Sequence, residues 1–339
     1  MIVLPKKITL LSAPLFELRH ISKAYQQDQP VVDQLSLDLQ AGEIFGLLGE
    51  SGAGKSTLLQ LAANLINPDA GEVWLEGEKL PLPSGLLIPG HPDIKIVHQD
   101  YQLSANLSVR ENIRYALRYY EKNYRDVRIE ELLELCQLQE VAERPTKLLS
   151  GGEKQRTAIA RALAEEARIL LLDEPFANLD LPNNRRLADT IRNSVAQTGA
   201  ACIFVTHHAT DALGLSQRMG ILQAGRLIQI GTPQEIYQNP INAYVATLSG
   251  EVNILPKKWV AQKLGKQLGH QLPENQVLIR PEKFSIHTEA LQESLAAKGL
   301  WSVFEGSRYR VGVELGGKNL VGYSSKNLTV GQNVFLNIV

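Results

Sequence analysis

A glycine-rich segment, residues 49–57, carries residue types at a spacing that could hold phosphate. It reads GESGAGKST and fits the pattern G-x-x-x-x-G-K-[ST]. Glycines let backbone N–H groups curl around phosphate oxygens, and the start of a following helix adds positive dipole at the same place. The Lys55 ammonium could reach the β- and γ-phosphates of a nucleotide, and the Ser56 hydroxyl could bind Mg²⁺. The whole segment is a candidate nucleotide contact: Gly49, Glu50, Ser51, Gly52, Ala53, Gly54, Lys55, Ser56 and Thr57.

An acidic pair, Asp173-Glu174, is the second candidate. It follows the apolar run 169–172, which predicts a buried parallel strand, and α/β sheets bind ligands at the carboxyl ends of such strands. An aspartate there could hold Mg²⁺, usually through water, and the next carboxylate could polarise an attacking water. An acidic exit from a strand is also common on protein surfaces, but the independent phosphate-binding pattern favours the catalytic interpretation.

A second glycine motif, LSGGEKQR at residues 149–156, opens a predicted helix. The hydroxyl of Ser150 and the amides of Gly151 and Gly152 could form another anion cradle at the helix start. An ordinary helix cap would explain the serine but not the paired glycines and the trailing EKQR. Because one nucleotide needs only one cradle, the second motif is predicted to serve a nucleotide held by another subunit.

These residues require an α/β framework to position them. Strand and helix patterns alternate from about Leu15 to about Tyr237, which predicts an α/β domain with a largely parallel sheet. Residues 43–48 are predicted to form the strand before the phosphate loop, and residues 56–66 the helix after it. A glycine-rich turn into a helix is the alternative to a phosphate loop, and this strand-loop-helix context weakens it.

The remainder of the chain has the pattern of a small β-barrel. Short strands are predicted at 277–287, 309–315 and 334–338, with a turn at 316–318. From Glu251 onward there are eleven basic and seven acidic residues, so this part is mildly basic.

Composition excludes several classes of protein. The 339 residues carry a net charge of −1 and a pI near 6.7, which offers no global electrostatic footprint for nucleic acid. Cys136 and Cys202 are too few for a disulfide framework, so we expect reduced core thiols. No run approaches the roughly 18 apolar residues needed to cross a bilayer, and the N-terminus lacks the order of a signal peptide. We therefore expect a cytosolic chain.

In this order, the phosphate loop, LSGGEKQR and ILLLDEP resemble the ABC ATPase family, and the alternating α/β region lines up with it. The resemblance implies further site residues. Tyr25 resembles the aromatic residue that stacks on adenine, and Gln99 resembles the glutamine that contacts Mg²⁺ and senses the membrane partner. The segment Asn178-Leu179-Asp180 resembles the loop that crosses the dimer interface, and His207 resembles the histidine that senses the γ-phosphate.

The family mechanism gives each residue an expected role. The resemblance implies a head-to-tail homodimer closed around two Mg²⁺-ATP, with ATP and Mg²⁺ as cofactors. The three catalytic candidates are Glu174, His207 and Lys55, and the three candidate metal contacts are Ser56, Gln99 and Asp173. Ser150, Gly151, Gly152 and Asp180 would reach the nucleotide of the partner subunit.

Two departures from the family pattern concern the partner rather than the ATPase chemistry. His208 follows the switch histidine, where the family's importers usually have aspartate. Gln102 and Ser104 stand where apolar or aromatic residues are usual, near the expected docking groove for a permease.

The C-terminal segment around Arg280-Pro281-Glu282 resembles the regulatory β-barrel found behind importer ATPases for inorganic ions, iron, polyamines and sugars. A passive dimerisation domain is the alternative to a ligand sensor. The expected domain plan has an N-terminal extension (1–14), an ABC ATPase domain (15–240, helical insert about 107–149), a linker (241–252) and a TOBE/OB-like barrel (253–339).

The expected function is ATP-driven import of a solute through a separate membrane permease, served indirectly by a substrate-binding protein. The chain would lie in the cytoplasm, peripheral on the inner face of the cell membrane. The rival is a soluble ABC ATPase that binds nucleic acid through aromatic residues of the barrel, namely Trp301, Phe304, Tyr309 and Tyr323. We expect nucleic acid not to be the partner, because tandem ATPase halves and long coiled-coil inserts are missing. An exporter subunit is a third alternative.

Overall fold

The computed structural model describes residues 13–26, 29–165, 167–177, 179–265, 269–271 and 275–339. The predicted N-terminal extension therefore lies outside the described residues as far as residue 12. The chain divides into two compact units, residues 1–233 and 234–339. The first contains β1 (Phe16–Gln26), β2 (Gln29–Leu39), β3 (Ile44–Gly49), α1 (Lys55–Ala62), β4 (Ala70–Leu75), β5 (Glu78–Lys79), β6 (Ile94–Val97), α2 (Val109–Ala116), α3 (Lys122–Leu135), α4 (Gly151–Leu163), β7 (Ile169–Asp173), α5 (Leu181–Thr198), β8 (Ala201–Thr206), α6 (Ala209–Leu215), β9 (Arg218–Gln223) and β10 (Arg226–Gly231).

A six-stranded sheet in the order β10-β9-β3-β8-β7-β6 forms the centre of the first unit, and the prediction of a largely parallel α/β sheet is confirmed. Only β10 pairs antiparallel. Alternate residues of the central strands enter two separate cores. Leu170 and Leu172 of β7 belong to one core, whereas Ile169 and Leu171 belong to the other. Burial on both faces explains why these strands read as continuous apolar runs.

A second, antiparallel sheet in the order β2-β1-β4-β5 belongs to the same unit. It was not predicted from the sequence. Its strand β2 alternates buried and exposed residues toward its end, as expected for a sheet with one face in the core. The helix after the phosphate loop is shorter than the predicted 56–66. It ends at Ala62 because Asn64 adopts a left-handed backbone conformation, with φ 56°.

Helices α2 and α3 lie within the predicted insert. Ser108 caps α2 in a reciprocal capping box, in which its hydroxyl accepts from Glu111 N and the Glu111 carboxylate accepts from Ser108 N. Ile113, Leu117 and Ile129 are fully buried in the core that also receives α4 and α5.

The second unit contains α7 (Pro233–Gln238), α8 (Ala243–Ser249), β11 (Asn253–Pro256), α9 (Lys257–Lys263), β12 (His270–Gln271), β13 (Gln276–Ile279), β14 (Phe284–His287), β15 (Leu295–Phe304), β16 (Tyr309–Leu315), β17 (Lys318–Ser324) and β18 (Asn333–Ile338). Strands β14-β17-β16-β15-β18 close into the predicted small barrel. The predicted strand 277–287 is two strands, since Pro281 begins a 3₁₀ turn between them.

Both cysteines are buried and free, as expected. In the part of the chain that the structure describes, no helix has the length and apolar character needed to span a membrane.

Candidate functional site

A cavity of about 520 Å³ opens in the first unit at the carboxyl ends of the parallel strands. The phosphate loop follows β3, Gln99 follows β6, the acidic pair ends β7, and His207 follows β8. The lining residues are Val31, Ser51, Gly52, Gly54, Lys55, Ser56, Thr57, Gln99, Asp173, Glu174 and His207. Candidates from four separate segments of the chain therefore meet in one cavity, where parallel sheets place their ligands.

Lys55 is the cation at the floor of this cavity. It is 7% exposed, and its Nζ donates to Gly49 O at 2.8 Å and to Glu50 O at 3.0 Å. Gly54 precedes it with φ 102°, a left-handed conformation that suits glycine. A Cβ on Gly54 would lie 2.3 Å from the carbonyl oxygen of Val31, so the position has no room for a side chain. The loop therefore curls tightly and aims the N-terminus of α1 at the cavity.

Oxygen donors for a divalent cation lie beside the lysine. Ser56 Oγ donates to Asp173 Oδ1 at 3.4 Å, and Gln99 lines the same cavity. Burial raises the pKa of Asp173 above its usual value, against the lowering effect of the Ser56 hydrogen bond. A hydroxyl, an amide and a carboxylate are the oxygen ligands that Mg²⁺ prefers, so this donor set fits the ion.

Glu174 lies between the other two catalytic candidates, His207 and Lys55, in the cavity. Its Oε2 lies 2.8 Å from His207 Nδ1, and its Oε1 lies 3.7 Å from Lys55 Nζ. The backbone of Glu174 is left-handed, with φ 48°, and its N–H donates to Val205 O at 3.1 Å. A non-glycine residue held in this region stores strain of about 1–3 kcal/mol, which is a common feature of functional sites. The carboxylate is thus fixed between a cation and an imidazole.

Several predicted contacts lie outside this cavity. Tyr25 is 61% exposed on β1 and does not line it. Gly49, Glu50 and Ala53 belong to the phosphate loop but are not among its lining residues. Asp180 caps α5 by accepting from Asn183 N at 3.0 Å. Asn178 lies outside the described residues.

The second glycine motif also lies away from the cavity. Ser150 caps α4, and its hydroxyl and N–H both donate to the Glu153 carboxylate at 2.8 Å. Gly151 is exposed, and a Cβ placed on it would contact nothing within 4 Å. The motif therefore presents an exposed helix N-terminus. None of its residues lines the cavity of the same chain.

Sequence reasoning missed two features of the site. Val31 lines the cavity from β2, and no motif marks it, because only the packing of β2 against the phosphate loop brings it there. The His208 ring lies 3.9 Å from the His207 ring, centroid to centroid, so the unusual residue contacts His207 directly. The sequence signal that could have found this contact is His208 itself, which departs from the family pattern.

The segment after Gln99 is held by side-chain hydrogen bonds in addition to the packing of Tyr101 and Leu103 against the core. Asn112 accepts from Ser104 N at 2.9 Å, and its amide donates to Ser104 O. Arg161 donates to the carbonyls of Gln102 and Tyr101. Hydrogen bonds from two side chains to its backbone therefore help to order this stretch, which carries polar residues at 102 and 104.

Comparisons with known proteins agree with this geometry. A profile of the ABC transporter family matches residues 32–177. The chain is 39% identical over 241 residues to the spermidine/putrescine import ATP-binding protein PotA of Thermotoga maritima, covering 70% of this chain and 64% of that protein. It is 40% identical over 281 residues to the sulfate/thiosulfate import ATP-binding protein CysA of Gloeobacter violaceus, covering 82% of this chain and 79% of that protein.

Solved structures share the fold. CbiO1 of Clostridium perfringens, part of the ABC transporter complex CbiONQ, aligns with a TM-score of 0.62 at 22% identity, over 75% of this chain and 96% of its own. The ATP-binding cassette MJ0796, solved as a dimer bound to ADP and Pi, aligns with a TM-score of 0.57 at 27% identity, over 64% of this chain and 98% of its own.

The fold and the cavity define an ATP-binding protein of the P-loop class. More narrowly, the chain belongs to the import-type ATP-binding proteins of the ABC transporter family, a family of ATP hydrolases.

Proposed function

We propose that this chain hydrolyses Mg²⁺-ATP and couples the hydrolysis to solute import through a separate membrane permease. The observation that carries the proposal is the position of Glu174, whose carboxylate lies 2.8 Å from His207 and 3.7 Å from Lys55 inside the phosphate-loop cavity. A base, a cation and a phosphate cradle are the parts that phosphoryl transfer to water requires.

Each residue of the cavity has a separate role in the proposed reaction. Lys55, which is held by the Gly49 and Glu50 carbonyls, binds the β- and γ-phosphates of ATP. Ser56, Asp173 and Gln99 would hold Mg²⁺, which would offset negative charge on the phosphates. Glu174 orients and polarises the attacking water, and His207 and Lys55 stabilise the charge on the leaving phosphoryl group. Tyr25 stacks on the adenine.

The second half of the nucleotide contact comes from another copy of the chain. Ser150, Gly151, Gly152 and Asp180 lie away from the chain's own cavity, which supports their use across a head-to-tail dimer. The open helix start at Gly151 suits the phosphate of a nucleotide held by the partner.

The solute belongs to the classes served by related importers, which include inorganic ions, iron, polyamines and sugars. The names of the relatives, for spermidine/putrescine and for sulfate/thiosulfate import, support the polyamine and inorganic-ion members of this range. Such a chain works at the inner face of the membrane, with the permease as its direct partner and a substrate-binding protein as an indirect one.

The test is ATP hydrolysis by the purified chain, alone and with the permease pair encoded beside its gene, reconstituted in lipid. Binding and stimulation by the permease are expected. If the permease has no effect but single-stranded nucleic acid stimulates hydrolysis, the transport proposal is wrong and the soluble nucleic-acid ATPase replaces it.

A further inference from the structure

One exposed surface of the first unit has no role in the nucleotide site. It lies where α2 ends and α3 begins, and it combines aromatic and basic side chains. We call it the tyrosine–arginine surface: Arg114, Tyr115, Arg118, Tyr119, Tyr120, Lys122 and Tyr124. The exposed fractions of its tyrosines run from 39% at Tyr124 to 83% at Tyr119, which is high for large aromatic side chains.

The surface is organised rather than loose. The Arg118 guanidinium lies 4.5 Å above the Tyr115 ring and 4.4 Å above the Tyr119 ring. The rings of Tyr120 and Tyr124 stack at 5.3 Å. Beneath them Leu117 is fully buried, so the segment is anchored in the core of the unit.

The positive charges here have no direct ion pair, although Glu121 lies in the same segment and Glu111 and Glu165 act on Arg114 and Arg118 from further away. Arg114, Arg118 and Lys122 form no ion pair with a carboxylate among the described residues, whereas Arg110 and Arg128 in the same two helices do. The net charge of the whole chain is only −1, so any attraction to an anionic partner must come from local clusters of this kind.

We propose that the tyrosine–arginine surface binds the anionic lipid headgroups of a membrane leaflet. Tyrosine has an apolar ring and a polar hydroxyl, so it suits the boundary between headgroups and acyl chains. Arginine and lysine side chains without a direct ion pair can attract anionic lipids. Bases of single-stranded nucleic acid would need open ring faces. Here Arg118 or a neighbouring tyrosine already covers one face of each ring, so fewer faces are left for stacking bases.

The inference rests on the proposed work at a membrane, but its test needs no permease and no nucleotide. The full chain is mixed with vesicles of phosphatidylcholine alone, or with about one-third phosphatidylglycerol added, and the bound fraction is measured by sedimentation. Binding to the anionic vesicles alone, weakened by salt, is expected.

Two variants locate the binding. Arg114→Gln/Arg118→Gln/Lys122→Gln is expected to lower the partition coefficient by roughly 100-fold, at about fivefold per charge. Tyr119→Ser/Tyr120→Ser changes only exposed side chains and is expected to lower it about tenfold at unchanged charge. The matched control Arg19→Gln/Lys79→Gln/Arg168→Gln removes the same number of charges from paired, exposed sites elsewhere in the unit and should bind nearly as wild type.

Equal binding to both kinds of vesicle, or equal losses in the control and the surface variants, would overturn the proposal. The proposal would also be overturned if the surface variants bound vesicles like wild type but no longer bound a fluorescent single-stranded oligonucleotide. That result would assign the surface to nucleic acid. ATP hydrolysis of each variant checks its folding. A wild-type chain that binds anionic vesicles but hydrolyses no ATP would contradict the proposed function and leave this one standing.

Discussion

Glu174 is the residue on which the proposed chemistry depends most. Its carboxylate touches the imidazole and the ammonium that would flank a γ-phosphate, and its strained backbone is held by a hydrogen bond to Val205. Lys55 is held by the Gly49 and Glu50 carbonyls and faces this carboxylate, so the ammonium, the carboxylate and the imidazole have defined positions relative to one another.

Replacing the carboxylate alone tests its role. Glu174→Gln keeps the size and one oxygen but removes the charge that polarises water, so we expect kcat for ATP hydrolysis to fall about 100-fold or more. ATP affinity, measured by equilibrium binding, should stay within about threefold. Glu76→Gln, an exposed carboxylate paired with Arg168, serves as the control. Unchanged turnover in Glu174→Gln would refute Glu174 as the base.

His208 is expected to position His207, the residue proposed to stabilise the leaving phosphoryl group. Its ring contacts the His207 ring at 3.9 Å, and aromatic contacts of this kind contribute about 0.5–1.5 kcal/mol. His208→Ala should therefore lower kcat about two- to tenfold with little change in KM for ATP, whereas His208→Phe should retain most of the activity. Equal losses in both variants, or a change in KM alone, would show that the contact has no such role.

At the scale of elements, Arg280 ties together the start of the second unit. Its guanidinium donates to the carbonyls of Tyr237, Ala246 and Gly250 and to the Ser249 hydroxyl, and it lies 3.9 Å above the Tyr237 ring. One side chain thus joins α7, the end of α8 and the strand that precedes the barrel.

Arg280→Lys should destabilise the second unit by about 2–4 kcal/mol, because one ammonium cannot replace a planar fork with several charge-assisted bonds. Urea unfolding in a Trp74→Phe background would measure it, since the two remaining tryptophans, Trp259 and Trp301, both lie in this unit. Arg308→Lys, which changes an exposed arginine stacked on Tyr323, should cost well under that. If Arg280→Lys lowered the free energy of unfolding no more than Arg308→Lys does, Arg280 would not hold these elements together.

Local patterns predicted the elements that obey local rules. The phosphate loop, the apolar strand before Asp173 and the helix opened by Ser150 are each written in a few consecutive residues. The barrel followed from strand alternation. Pro281 splits a predicted strand and Asn64 shortens a predicted helix, since single residues with special backbone demands override a periodic pattern.

Contacts between distant segments could not be predicted in the same way. The antiparallel sheet pairs β1 with β4, and Val31 reaches the cavity only through tertiary packing. The distance from Glu174 to Lys55 likewise depends on how two strand ends are set side by side. Sequence patterns give the residues at such a site, but packing decides which of them touch.

At the scale of the whole molecule, the proposed cycle requires two copies. In the Glu174→Gln variant, we expect a dimer of about 75 kDa, twice the 37.5 kDa chain, to accumulate when Mg²⁺-ATP is added. Light scattering after size exclusion would measure it, and chelation of Mg²⁺ should return the monomer.

Gly151→Asp in that background should abolish the dimer. The new side chain fits its own chain, where nothing lies within 4 Å, but would bring a negative charge to the partner's phosphates. Gly214→Asp, also at an open position on a helix, is the matched control. If both variants still formed dimers, the glycine motif would have no role in assembly.

The close approach at the Val31 carbonyl has a consequence for how this sequence can change over time. A Cβ on Gly225 would lie 2.6 Å from the same oxygen that excludes one on Gly54, and both glycines have positive φ. The obstructing atom is backbone, so no second substitution at Val31 can open space for either position. Gly225 is far in sequence from every nucleotide motif, but its N–H donates to the Ala53 carbonyl of the phosphate loop at 3.0 Å, so we expect it to be as constrained as the loop itself. In a saturation library screened for transport, it should tolerate as few replacements as Gly54.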